Sequence, residues 1–131
     1  MPDNQAKIKF NGVYLKKIDR YVQAVQNIHR SIPFKLRAGR EADLNRVVSA
    51  LWVIKQFAYV NVKAVPFSDD HTIMKYDMAS LLKIRNAKQS LKILFGTLEE
   101  DAQKRHKALY SGTLEVFNQI ETHLEENVDG G

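Results

Sequence analysis

The chain has 131 residues, a net charge of +5, 44% hydrophobic and 27% charged residues, and no cysteine. That length suits one domain, 1–131, with its own core, and the missing thiols exclude disulfides, thiolate metal centres and a cysteine nucleophile. The longest nearly apolar run, VVSALWVI at 47–54, falls far short of the roughly 20 residues of a membrane span, and MPDNQAKIKF has no apolar signal-peptide core, so a soluble, cytoplasmic protein with no membrane partner is expected.

Residues 1–10 read as a flexible N-terminus, and Asn11-Gly12 as a turn. From Val13 to about Ile32, Tyr14, Ile18, Tyr21, Val25 and Ile28 recur at helical spacing, with Leu15 and Val22 widening the face. Pro33 ends this first helix, because the residue before a proline is pushed out of the α region. The loop IHRSIPFKLRAGR (28–40) then carries four Lys/Arg and no acid.

The second helix is expected over about 40–63. Its stripe is Leu44, Val47, Val48, Leu51, Ile54, Ala58 and Val62, with Trp52 and Phe57 read as flanking core residues. Its β-branched residues would also suit a strand, but the length and the 3–4 spacing favour a helix. AVPFSDD (64–70) is a break in which Ser68, Asp69 or Asp70 caps the next helix.

The third helix, about 71–95, places Met74, Met78, Leu81, Ile84, Leu91 and Leu94 near one face, the methionines as core filling. Gly96 is expected to close it in the left-handed conformation, and Thr97-Leu98-Glu99-Glu100 reads as a capping box opening the fourth helix. That helix runs to about Glu126 through Leu98, Ala102, Leu109, Val116, Phe117, Ile120 and Leu124, with Gly112 costing it about 1 kcal/mol. Residues 127–131 are a flexible tail. The fold class is all-α, an antiparallel up-down-up-down four-helix bundle.

The composition gives little catalytic chemistry. A di-iron bundle needs Glu-x-x-His pairs, and no acid precedes His29, His71, His106 or His123 by three residues. No metal site, cofactor or catalytic residue is expected, and the chain is read as a non-enzyme. A nucleophile–base pair between one of these histidines and Ser31, Ser49, Ser80, Ser90 or Ser111 stays open. No nucleophile elbow or phosphate loop supports it.

Charge is the sharper signal. Residues 1–40 carry +7, 41–70 carry −1, 71–95 carry +4 and 96–131 carry −5. Such asymmetry fits a polyanion partner, or attraction between the acidic fourth helix of one copy and the basic first or third helix of the next. The blander reading is that these lysines and arginines only keep the bundle soluble, with Arg37, Arg40, Glu41 and Asp43 pairing locally.

One family shares this layout: SIPFKLRAGREADLNRVV leading straight into helix 2, then LLKIRNAKQSLKILFG followed at once by TLEEDAQKRHKALYSGTLEVFNQI. Over about residues 13–125 the chain resembles the four-helix bundles of the accessory variability determinant (Avd) family of diversity-generating retroelements. The resemblance implies a homo-oligomeric basic ring, usually a pentamer. It also implies binding to nucleic acid (RNA or DNA) and to a partner reverse transcriptase, with no catalytic residue. By position it points to Lys16, Lys17, Arg20, Arg30, Lys35, Arg37, Arg40, Lys83, Arg85, Lys88 and Lys92 as nucleic-acid-binding. The alternative is a protein-interaction scaffold, such as a phage or plasmid adaptor, without nucleic-acid binding.

Overall fold

A computed structural model describes the backbone of residues 12–63 and 78–127, and within these the side chains other than those of 12–16, 56–63, 123 and 127. The expected flexible termini at 1–10 and 128–131, the break at 64–70 with its caps, and His71, Met74 and Lys75 lie outside the described residues. So do the side chains of Tyr14, Leu15, Lys16, Phe57, Ala58, Val62 and His123.

The described chain is all-α. Helix α1 spans Gly12–Ser31, a single turn α2 spans Phe34–Arg37, and a 3₁₀ turn spans Ala38–Arg40. Helices α3 (Glu41–Lys63), α4 (Met78–Gly96) and α5 (Glu100–Asn127) follow. The stretch expected as a loop is therefore helical. Pro33 opens α2 with extended backbone, and its carbonyl accepts the amides of Leu36 at 2.9 Å and Arg37 at 3.1 Å. A proline suits that place because it has no amide to leave unpaired.

The four long helices share one core. Ile18, Val25 and Ile28 of α1, with Ile32 just beyond it, meet Val47, Leu51 and Ile54 of α3, Ile84, Leu91 and Leu94 of α4, and Phe117, Ile120 and Leu124 of α5, all fully buried. Neighbours pack in the order α1, α3, α4, α5 and back to α1, with α1 and α4 touching only lightly across the diagonal. Contacts between α4 and α5 run in opposite directions, Phe95 meeting Tyr110 and Arg85 meeting Glu121 and Glu125, and Asp43 of α3 meets Ser90 of α4. This is the pattern that an up-down-up-down bundle requires.

Several local expectations are corrected. Gly96 does not adopt the left-handed conformation. It stays in α4, and the Thr97 amide reaches back to Ile93 O at 3.0 Å. Thr97 opens no capping box either: its hydroxyl donates to Ile93 O at 2.7 Å, completing α4 instead of starting α5. Gln103 ties the turn down from the other side, donating to Phe95 O and Leu98 O at 3.2 Å each. Trp52 and Met78 are not core residues, being 42% and 49% exposed. Gly112 has a packing reason, since a Cβ there would lie 3.0 Å from the Tyr21 hydroxyl. No described helix is long and apolar enough to cross a membrane.

Candidate nucleic-acid interface

The buried residues of α1 set which way its charges point. With Ile18, Val25 and Ile28 turned inward, the 100° step per residue puts positions 20, 23, 27 and 30 on the outer face and Lys17 on its flank. Lys17, Arg20 and Arg30 are exposed, and neither Lys17 nor Arg20 makes an ion pair or hydrogen bond among the described residues. Arg30 makes one long bond, 3.5 Å to Asn27 Oδ1, which also accepts from Gln23 Nε2 at 3.4 Å. The face is a row of polar and cationic groups without an acid. Asp19, the acid on this helix, turns towards α3 and pairs with Lys55 at 2.7 Å.

The turn after α1 divides its cations between two roles. Arg37 folds back on α1 and donates to Arg30 O at 2.8 Å and to Ile32 O at 3.0 and 3.3 Å. A helix end leaves its last carbonyls without intrahelical donors, and this guanidinium supplies them. It also sits 6.0 Å from the Phe34 ring centroid. His29 Nε2 donates to Arg37 O at 3.1 Å, which requires the proton on that nitrogen because a carbonyl only accepts. Arg40 is held by buried Asp43 at 3.1 Å, together with Arg46 at 3.2 Å and Ser90 Oγ at 2.9 Å. Lys35 is exposed with no partner among the described residues, beside Phe34 at 84% exposure.

The α4 cations split between two flanks. Lys83 faces the α3 side, whereas Arg85, Lys88 and Lys92 follow one another at i, i+3 and i+7 on the α5 side. There Arg85 bonds Glu121 at 3.1 Å and Glu125 at 3.0 Å, and Lys88 bonds Glu121 at 2.6 Å. Burial opposes ionisation of Glu121, but the hydrogen bonds from Lys88 and Arg85 outweigh it and hold the carboxyl below its usual range. At this seam the acid of α5 is satisfied within its own chain. Lys83 and Lys92 are exposed and make no ion pair among the described residues.

The candidate cations therefore do not share one surface. Lys17, Arg20, Arg30 and Lys35 lie together along α1 and the turn, while Lys83 and Lys92 lie on the diagonally opposite helix. Arg37, Arg40, Arg85 and Lys88 have partners within the fold. Sequence reasoning missed Arg105 and Lys107 on α5, exposed and without ion pairs among the described residues, because they sit in a segment whose total charge is negative.

It also missed a groove of about 610 Å³ between α3 and α4, lined by Asn45, Arg46, Ser49, Ala79, Leu82, Lys83 and Asn86. The 3–4 spacing that would have exposed it is in the sequence, but its meaning depends on how the two helices are rotated.

One serine–histidine pair does come together. His106 Nε2 lies 3.0 Å from Ser31 Oγ, and that hydroxyl lies 2.9 Å from Asn27 O. Since the hydroxyl gives its single hydrogen to the carbonyl, the imidazole must donate to Ser31, the opposite polarity from a base activating a nucleophile. Burial and the nearby Arg105 charge hold His106 below its usual pKa, so the bond is a neutral link between α1 and α5. No cluster of metal-ligating side chains occurs among the described residues. In comparisons with known proteins, no family model, no curated protein and no solved structure matches the chain.

Proposed function

We propose that this chain is a non-catalytic accessory protein that binds nucleic acid through the outer face of α1 and the turn that follows, as the partner of a reverse transcriptase in a retroelement. The observation that carries this reading is that Lys17, Arg20, Arg30 and Lys35, on α1 and the turn, are exposed cations with no acid paired to them among the described residues. A cation that merely solubilises a helix gains from a neighbouring acid, whereas these four have no carboxylate partner among the described residues and keep their charge for phosphate. The exposed Phe34 ring beside Lys35 adds a stacking surface next to a charge.

The test is fluorescence anisotropy with labelled single-stranded RNA, single-stranded DNA and duplex DNA, between about 50 and 200 mM salt. Four phosphate contacts give a log–log salt slope of roughly −3 to −4. Changing Lys17, Arg20, Arg30 and Lys35 together to alanine flattens that slope, while each change shifts stability by no more than about 0.5 kcal/mol and the four together by no more than about 2 kcal/mol. No binding at the lowest salt rejects the reading.

A scaffold role is favoured by a different observation: Phe34, Leu36, Trp52, Met78 and Leu82 are large apolar side chains left on the surface. In that reading the turn docks a protein partner, and the same alanine variant binds it as well as the parent does.

A further inference from the structure

Resting on the nucleic-acid reading above, we infer that the α3–α4 groove receives unpaired bases of a single strand, with Trp52 as a stacking platform at its side. The volume, about 610 Å³, falls within the range of roughly 300–1,000 Å³ typical of ligand clefts. The chemistry of the walls fits a nucleotide in each of its parts. Arg46 and Lys83 stand on facing helices as cations for phosphate, and among the described residues no acid lines the groove. Arg46 spends one nitrogen on Asp43 and keeps the rest of its guanidinium for a ligand.

Asn45 and Asn86 supply a donor and an acceptor each, which is what base edges need. Leu82, 48% exposed, gives an apolar wall against which a ring can lie. Asn45, Ser49 and Trp52 follow at i, i+4 and i+7, so the indole continues the face that forms one side of the groove. The Lys55 ammonium sits 4.9 Å from the Trp52 ring centroid and is itself anchored to Asp19. That contact holds the indole in place and leaves a 42% exposed ring for stacking. A recess between two helices admits a flat base that has left its stack. A duplex keeps its bases paired inside and offers this surface only phosphates, so the groove discriminates in favour of single strands.

Trp52 is the chain's one tryptophan, so tryptophan fluorescence reports the surface beside this groove. The full-length protein is titrated with a twelve-nucleotide oligo-dT, an oligo-U of the same length and a duplex, following Trp52 emission and anisotropy of the labelled oligonucleotide in parallel. The expected result is saturable quenching by both single strands and little by the duplex. By anisotropy, Trp52→Ala weakens single-strand binding about five- to hundredfold. Leu82→Glu, at an exposed position that folding does not need, weakens it about tenfold, with circular dichroism confirming an unchanged melt. Lys83→Ala makes the salt slope shallower by about 1. Equal quenching by duplex and single strands overturns the inference. So does anisotropy binding that survives both groove variants and is lost only with the α1 and turn cations, an outcome that leaves the nucleic-acid reading standing. Absence of any anisotropy change removes both.

Discussion

The outer face of α1 and the seam between α4 and α5 are built from the same residue types and differ in what faces them. On α1, Lys17 and Arg20 are exposed with no acid paired to them among the described residues. On α4, Arg85 and Lys88 look across to Glu121 and Glu125 and are consumed by them. A charge sum over a segment treats the two alike. What separates them is what each faces: Arg85 and Lys88 of α4 meet carboxylates of α5, and Lys17 and Arg20 of α1 meet none among the described residues. A free cation is a property of a face, and net charge is a property of a chain. The attraction between copies that the segment sums suggest is, at the α4–α5 seam, an attraction within one copy.

The comparison breaks most strongly where a committed acid is removed. Asp43→Ala leaves Arg40 and Arg46 without their carboxylate and Ser90 with a buried hydroxyl that has lost its acceptor. A loss of about 2–3 kcal/mol is expected in urea melts, with two newly free arginines strengthening any binding to a polyanion at low salt. Arg37→Ala is expected to cost about 1–2 kcal/mol, because the α1 carbonyls of Arg30 and Ile32 lose a charged donor. Nucleic-acid affinity should barely move, which is the mark of a cation that serves the fold.

The smallest effect sharpens the seam. Glu121→Gln is expected to cost about 0.5–1 kcal/mol at neutral pH, more than an isolated surface pair because one carboxylate serves two cations. The sign with pH follows from the depressed Glu121 pKa: the unfolded carboxyl takes up a proton first, so stability is present above about 4.5 and lost as pH falls through the lower folded value. His106 acts in the same direction over a higher window, since its pKa also lies below the unfolded value of 6.5. Acid titrations of parent and Glu121→Gln should therefore run parallel down to about pH 5 and converge below it.

Most of the fold was legible because apolar spacing survives without knowledge of neighbours. Ile18, Val25 and Ile28 on one helix, and Leu81, Ile84, Leu91 and Leu94 on another, were placed on the core side by their 3–4 rhythm and are buried there. What failed were readings that depend on one atom's choice between two partners. The Thr97 hydroxyl has both a helix behind it and a helix ahead, and it bonds the one behind. Trp52 was assigned to the core by residue type, but its position at i+7 from Asn45 puts it on the outer side of α3. Of the candidate site, the α1 and turn cations were readable from sequence. Their separation from Arg37, Arg40, Arg85 and Lys88 was not, because a carbonyl or carboxylate many residues away decides it.

Gly112 sets a length scale for the face that carries the free charge. Because it lacks a side chain, the Tyr21 ring lies directly on the α5 backbone, so α1 and α5 approach as closely as a ring against a bare helix allows. Arg20 adjoins that tyrosine on α1, and Arg105 flanks His106, which bonds Ser31 of α1 from α5. The gap between the two helices' charges, which successive phosphates of a bound strand would have to match, is thus gauged by a residue that carries neither charge nor side chain.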